Sequence, residues 1–334
     1  MAKTAKIIKT AYVTGSTGFL GVNIIHCLLD NGWKVIALKR RRSDTKELDK
    51  LDITQVEGDV LDIESLRSTI PERVDAIFHV AGDTSMWSGY YEKQDRINID
   101  GTRNIVEVAL EKNVGRFIHT SSLGAFGDIT GRVIDEETPS EAMGSKLNYY
   151  KSKYLAEQEV LAGISRGLDA VILNPSQIIG PYDYHYIPQI FQNLKATGIM
   201  GYPVGSMVFG HAKDYAKAHL SAYEKGRTGE RYLLGGVHAS FKAMFETVGK
   251  LINVKPPKFP TPPALLTCLA YIMEGYSHLV DKEPILTPDK AALLNGSVHV
   301  NSRKAEIELG FSTCSLEEMF RDSYVWMREA GIIS

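Results

Sequence analysis

The stretch YVTGSTGFLGVNII, residues 12–25, decides how the rest of the chain is read. A β-branched run at 10–14 meets Gly15, Gly18 and Gly21, then passes into an apolar pattern with helical spacing that stops at Asn31-Gly32. Glycine at these places frees a tight turn from Cβ, lets a pyrophosphate approach bare backbone and seats the helix close to the strand. The helix N-terminus then offers unpaired N–H groups and a partial positive charge to phosphate. The spacing is G-x-x-G-x-x-G, not G-x-G-x-x-G, so the glycines alone say little. The strand before and the helix after make it a dinucleotide site, with Gly15, Thr17, Gly18, Phe19, Leu20 and Gly21 as expected contacts.

Outward from that turn, VIALKRRRSD ends the second strand. An acidic residue there would hold an NAD ribose, whereas cations suit the 2′-phosphate of NADP. Lys39, Arg40, Arg41 and Arg42 stand in that place, and guanidinium forks match phosphate oxygens, so Arg40 and Arg41 predict NADP(H) as cofactor. Asp44 is a carboxylate several residues too far along. Further runs at 53–57, 75–80, 116–121 and 169–174 alternate with helical patterns, the mark of a parallel sheet wrapped by helices. The predicted fold is α/β: a Rossmann-type doubly wound parallel sheet over residues 1–175, with a smaller mixed C-terminal substrate lobe over 176–334. RYLLGG, and with it roughly 205–240, is expected to return to the main sheet. SLEEMFRDSYVWMREAG closes the chain as an amphipathic helix, with Ser315 and Glu318 set as a capping box.

The 334 residues, 44% hydrophobic and 23% charged, carry a net charge of −2, which gives no electrostatic reason to expect nucleic acid or an anionic membrane as partner. Cys27, Cys268 and Cys314 form no metal or redox spacing and fit a reducing, cytoplasmic setting; no metal is expected. Lys3, Lys6 and Lys9 precede no apolar h-region, so no signal peptide is read. The apolar stretch around 264–280 is broken by Glu274, Gly275 and His278 and falls short of the ~20 residues a membrane span needs. It is expected to line a pocket, with shallow membrane contact left open.

NYYKSKYLAE, residues 148–157, offers three tyrosine–lysine pairings on a helix. Tyr149 and Lys153 are four apart, Tyr150 and Lys153 three apart, and Tyr154 follows Lys151 by one turn. Just upstream, GRFIHTSSLGAFG places Thr120, Ser121 and Ser122 at the carboxyl end of a strand, the rim where open α/β sheets bind ligands. A hydroxyl there, with a tyrosine and a lysine on the next helix, can polarise and protonate a carbonyl. An ammonium near a phenol of ordinary pKa ~10 is expected to lower it toward the useful range.

TGSTGFLG, GDVLD, HVAGDT, NIDGTRNI, HTSSLGAFG, YYKSK and NPSQIIGP occur in the order found in extended short-chain dehydrogenases/reductases. The chain resembles their dihydroflavonol reductase-like and 3β-hydroxysteroid dehydrogenase-like branch, and NPSQIIGPYD and ERYLLGG also resemble bacterial proteins described as hopanoid-associated sugar epimerases. The resemblance implies Ser122, Tyr149 and Lys153 as the catalytic set, leaving Tyr150 and Tyr154 as ordinary helix residues. It places Asp59 and Val60 beside the adenine, Ala81, Gly82 and Thr120 near the cofactor, and Pro175, Ser176 and Ile178 at the nicotinamide. Asn98 is open between a structural cap or helix-positioning role and a catalytic one, while His211, Asp214 and His79 are expected to serve structure rather than chemistry.

The expected activity is NADPH-dependent hydride transfer to a ketone or aldehyde of an uncharged, hydrophobic small molecule. Thr84, Met86, Trp87, Tyr182, Tyr186, Met207 and Phe209 are the expected substrate wall beside Ser122, although aromatic and methionine side chains also pack cores. Alternatives are a nucleotide-sugar epimerase or dehydratase with retained NAD, a hydroxysteroid-type alcohol dehydrogenase, and a non-enzymatic NADP sensor. Relatives of this kind are monomers or dimers, so a homodimer is one expected assembly.

Overall fold

A computed structural model describes residues 8–197 and 201–333; Lys3 and Lys6 lie outside them. The first half runs β1 (Thr10–Thr14), α1 (Phe19–Asp30), β2 (Lys34–Lys39), β3 (Thr54–Glu57), α2 (Ile63–Thr69), β4 (Ala76–His79), α3 (Tyr91–Asp95), α4 (Gly101–Glu111), β5 (Arg116–Thr120), β6 (Val133–Ile134), α5 (Asn148–Ser165) and β7 (Ala170–Pro175). The second half runs β8 (Gln177–Ile179), α6 (Tyr186–Thr197), β9 (Gly201–Pro203), β10 (Ser206–His211), α7 (Ala212–Lys225), β11 (Arg231–Leu234) and β12 (Val237–Ser240). It ends with α8 (Phe241–Ile252), β13 (Phe259–Thr261), α9 (Pro263–Val280), α10 (Pro288–Asn295), β14 (His299–Val300), α11 (Arg303–Leu309) and α12 (Leu316–Glu329).

Seven strands pair in the order β11-β7-β5-β4-β1-β2-β3, every neighbour parallel. Such a sheet is buried on both faces, which is why its strands read as nearly unbroken apolar runs. On one face Val13, Phe78 and Ile118 pack with Ile24 and Leu28 of α1 and Tyr215 of α7. On the other, Tyr12, Ile77 and Phe117 pack with Leu66 of α2, Ile105 of α4 and Val160 of α5. Each fully buried Leu, Ile or Val contributes about 1.5–3 kcal/mol. Strand order reverses between β1 and β4, the place at whose carboxyl ends open α/β sheets bind ligands.

The C-terminal part builds a three-stranded mixed sheet, β12-β10-β8, with β10 antiparallel to β12 and parallel to β8. The segment 205–240 is divided: α7 and β11 join the main sheet, while β10 and β12 build the small one. At α12 the capping box forms as its residues imply: the Ser315 hydroxyl accepts from the Glu318 amide, and the Glu318 carboxylate accepts from the Ser315 amide.

Four expected substrate contacts are packing residues instead. Phe209 is 1% exposed in the small lobe's core with Met244 and Phe320, and Met207, two residues away on the same strand face, packs against that core. Alternation along β10 puts both on the side of the strand that carries this core. Trp87 is 3% exposed, donates from Nε1 to Ser277 Oγ (3.0 Å) and stacks on His278, so it fastens the loop after β4 to α9. Tyr182 lies between His26 of α1 and Trp326 of α12, joining the lobes at their outer seam.

Candidate active site

The glycine turn is built to a tolerance that only bare backbone meets. Gly15 has φ +65°, and a Cβ on it would lie 2.6 Å from the Ala81 amide; a Cβ on Gly21 would lie 2.1 Å from the Gly15 carbonyl. The turn is therefore pressed against the end of β4, with Ala81 and Gly82 beside it and α1 directly beneath. Thr17 and Phe19 are half-buried at this mouth, while Leu20 turns into the core.

Beyond β2, Arg40, Arg41 and Arg42 line an open groove of about 860 Å³ with Ser43, Gly58 and Asp59. All three arginines are exposed and have no ion pair among the described residues. Asp44 turns instead to Lys46, accepting from its amide at 3.1 Å and pairing with its ammonium at 3.3 Å. Asp59 holds the loop by accepting from the Leu61 amide. The Val60 side chain is buried, close against Gly101, so only its backbone reaches this rim.

Ser122 follows β5 in extended conformation and its Oγ accepts from the Gly124 amide at 3.1 Å. Its carbonyl accepts from Asn174 Nδ2 at 2.9 Å. The Tyr149 phenol, on the first turn of α5, neighbours the Ser122 side chain, and its ring lies 3.2 Å from where a Cβ on Gly124 would sit. Burial of Tyr149 raises its pKa; the neighbouring Ser122 hydroxyl pulls it back, and Asp83 pushes it up again. The expected lowering of the phenol by the lysine is not seen in the protein alone, where burial is the largest influence and raises it. Tyr150 is 8% exposed and packs with Ala142 and Leu147, so it is no rival donor.

Lys153 is 5% exposed, and burial lowers it to about 8, with Glu157 working in the opposite direction. Its Nζ donates to the Thr120 carbonyl at 3.0 Å, and a Cβ on Gly82 would sit 3.3 Å from it. The Thr120 side chain points the other way: its hydroxyl donates to His219 Nε2 at 2.9 Å, since His219 Nδ1 gives its proton to the Tyr215 carbonyl. Thr120 thus serves the site through its backbone.

Two residues absent from the expected set support it. Glu157, 1% exposed, accepts from Ser121 Oγ and Asn174 Nδ2 (2.6 Å) and pairs with Arg231 at 2.8 Å. Tyr149, Lys153 and Glu157 recur every four residues, one stripe on the buried face of α5. The Lys–Glu spacing was visible in the sequence, but it reads equally as a surface pair. Asn98 lies in a π-helical turn at Arg96–Asp100 between α3 and α4. It accepts from the Asp83 amide at 2.7 Å and donates to Ser152 Oγ at 2.9 Å, tying the post-β4 loop to α5.

His79 is a satisfied core histidine. Thr14 Oγ1 accepts from the Val80 and Ala81 amides, so its own proton goes to His79 Nδ1 (2.8 Å), and Nε2 donates to Thr102 Oγ1. His211 Nδ1 accepts from the Lys213 amide, capping α7, and Nε2 pairs with Asp322 at 3.1 Å; Asp214 accepts from the Cys314 amide. Pro175 is buried at the end of β7, Ser176 bonds the Tyr215 hydroxyl at 2.6 Å, and Ile178 is half-buried on β8. Thr84 is exposed and Met86 half-buried on the loop after β4. Tyr186 is 41% exposed at the start of α6.

A family model described as the NAD dependent epimerase/dehydratase family matches residues 11–235. The sterol demethylase protein B of Methylococcus capsulatus is 30% identical over 97% of this chain and 100% of its own length. A dihydroflavonol 4-reductase candidate of Synechocystis sp. is 31% identical, covering 96% and 95%. The crystal structure of gox2253 superposes with a TM-score of 0.84 at 31% identity, over 98% of this chain and 100% of that one.

Proposed function

The chain belongs to the NAD dependent epimerase/dehydratase family, and from that premise we propose that it is an NADPH-dependent reductase of ketones or aldehydes on hydrophobic small molecules. The observation that carries this reading is the grouping of Ser122, at the carboxyl rim of the sheet, with Tyr149 and Lys153 on one stripe of α5, where Lys153 Nζ donates to the Thr120 carbonyl at 3.0 Å. Two hydroxyls grouped there can both bond one carbonyl oxygen. Gly15, Gly18 and Gly21 would hold the pyrophosphate, and Arg40 and Arg41, free of ion pairs among the described residues, would take the 2′-phosphate. When bound, the nicotinamide supplies the hydride. Relatives named as reductases, including one named for 2-alkyl-3-oxoalkanoates, support reduction over epimerisation.

The chain's own part is proton handling and charge. Burial keeps the Tyr149 phenol protonated at neutral pH, the form a donor needs. As negative charge builds on the carbonyl oxygen, Tyr149 gives it the phenolic proton while Ser122 keeps its hydrogen bond. Lys153 then stabilises the phenolate left behind. Glu157 and Asn174 keep Ser122 and its strand end in register.

Replacing Tyr149 by Phe should lower turnover about 10²-fold or more while leaving NADPH affinity within about twofold. The assay follows NADPH absorbance over a panel of ketones and aldehydes, with NADH as control. Near-normal turnover in Tyr149→Phe would overturn the assignment; NAD⁺ co-purifying with the protein, with no NADP preference, would favour an epimerase.

A further inference from the structure

Helix α9 carries an apolar stripe that nothing among the described residues covers. Leu265, Leu269, Ile272, Tyr276 and Leu279 recur at intervals of four, three, four and three residues, and are 43–84% exposed. That spacing aligns them on one side of the helix along its whole length of ~27 Å. Phe259, just before the helix, is 70% exposed, and Ile285, just after it, is 80% exposed, so the apolar surface continues past both ends. An exposed patch of this kind marks an interaction surface.

The ends of the stripe are basic. Exposed Lys255 and Lys258 precede the helix and exposed Lys282 follows it, and none has an ion pair among the described residues; Asp281 is the one unpaired acid beside them. Within α9 there is no lysine or arginine, and its one carboxylate, Glu274, turns inward to the Ser88 hydroxyl. Tyr271 and Tyr276, 62% and 65% exposed, have the amphipathic rings that settle at a bilayer's headgroup level. No helix among the described residues is long and apolar enough to cross a membrane.

We propose that α9 is a monotopic docking surface for a bilayer containing anionic phospholipid, lying in the plane of the interface with its apolar stripe among the acyl chains and its flanking lysines among the headgroups. The charge pattern selects this occupant over a second copy of the chain. Two copies pairing these helices about a two-fold axis would set lysine against lysine, whether the helices ran parallel or antiparallel. Anionic headgroups accept both ends at once. The docked helix is fastened to the rim of the candidate active site, because Trp87 and Ser88, on the loop that follows β4, bond Ser277 and Glu274. A hydrophobic substrate dissolved in the bilayer would then be met at the cleft. The proposal rests on the surface alone, so vesicle binding stands or falls apart from the hydride-transfer reading.

The full chain is floated with vesicles of phosphatidylcholine containing phosphatidylglycerol, and with phosphatidylcholine alone. The expected result is binding to the anionic vesicles, weakened by salt. Leu269→Glu with Ile272→Glu should lower it at least ~tenfold, and Lys255→Glu with Lys258→Glu and Lys282→Glu at least ~tenfold at low salt, with melting temperature unchanged, since all five side chains are exposed or largely so. Absence of vesicle binding by the wild-type protein overturns the proposal. So does a stable dimer by light scattering that the Leu269→Glu and Ile272→Glu pair converts to monomer, which would assign the face to a second copy.

Discussion

Lys153 concentrates the cost of the site in one side chain. Its ammonium is buried, and a pKa lowered from 10.5 to about 8 means that the folded chain pays for holding this charge at neutral pH. The unfolded chain binds the proton more tightly, so the cost is fully present below about pH 8 and is relieved as pH rises toward 10.5. Replacing Lys153 by Met removes a burden on the order of 3 kcal/mol. Against that stands the lost bond to the Thr120 carbonyl, about 1–3 kcal/mol. Lys153→Met should therefore melt at or above the wild-type temperature at pH 7 while losing turnover. A clear drop in its melting temperature would refute this account of the lysine. Tyr149 and Ser122 were readable as residue types at known spacings; that burial raises the phenol was not, because desolvation depends on neighbours remote in sequence.

At the scale of elements, α5 is a rod that carries three functional groups on one stripe, and the π-helical turn before α4 aims Asn98 at it. Pairing of Asn98 with both Asp83 and Ser152 makes the loop after β4 and the start of α5 a single unit. Asn98→Ala leaves the buried Asp83 amide without its partner at a cost of about 1–3 kcal/mol. The variant should melt several degrees lower and expose the Asp83 amide to faster hydrogen exchange. Unchanged protection of that amide would show that the loop is held by something else. The sequence reads as helix over NYYKSKYLAE, and α5 spans it. Periodicity could not reveal the π turn, since one extra residue per turn leaves no mark in an apolar pattern.

The whole molecule buries three imidazoles against the main sheet in neutral form. Burial lowers His79 to about 3 and His219 to about 4, and it lowers His119, stacked on His79 and close to Lys153, well below its ordinary range. Each stays neutral in the fold yet takes up a proton in the unfolded chain below pH ~6.5, so stability is full above that value and falls with acidification. The slope is about 1.4 kcal/mol per pH unit for each histidine, continuing until the folded pKa values are reached. Melting temperature should decline steeply between pH 6.5 and 4. A flat profile over that range would mean that these rings are charged or exposed in the folded protein.

What the chain's order of residues determined by itself is the local chemistry: glycines where a Cβ cannot fit, strands that alternate with helices, arginines after β2, and a Tyr-x-x-x-Lys on a helix beyond a hydroxyl-ended strand. These depend on backbone sterics and on periods of two and 3.6 residues, both of which act over a few positions. Tertiary structure alone decided which aromatic side chains face the cleft and which fill a core, turning Phe209, Met207, Trp87 and Tyr182 away from the expected substrate wall. It also decided that Glu157 is buried and that the α9 stripe is not. Burial is settled by which elements meet, through contacts between residues tens to hundreds of positions apart, and no local pattern carries that.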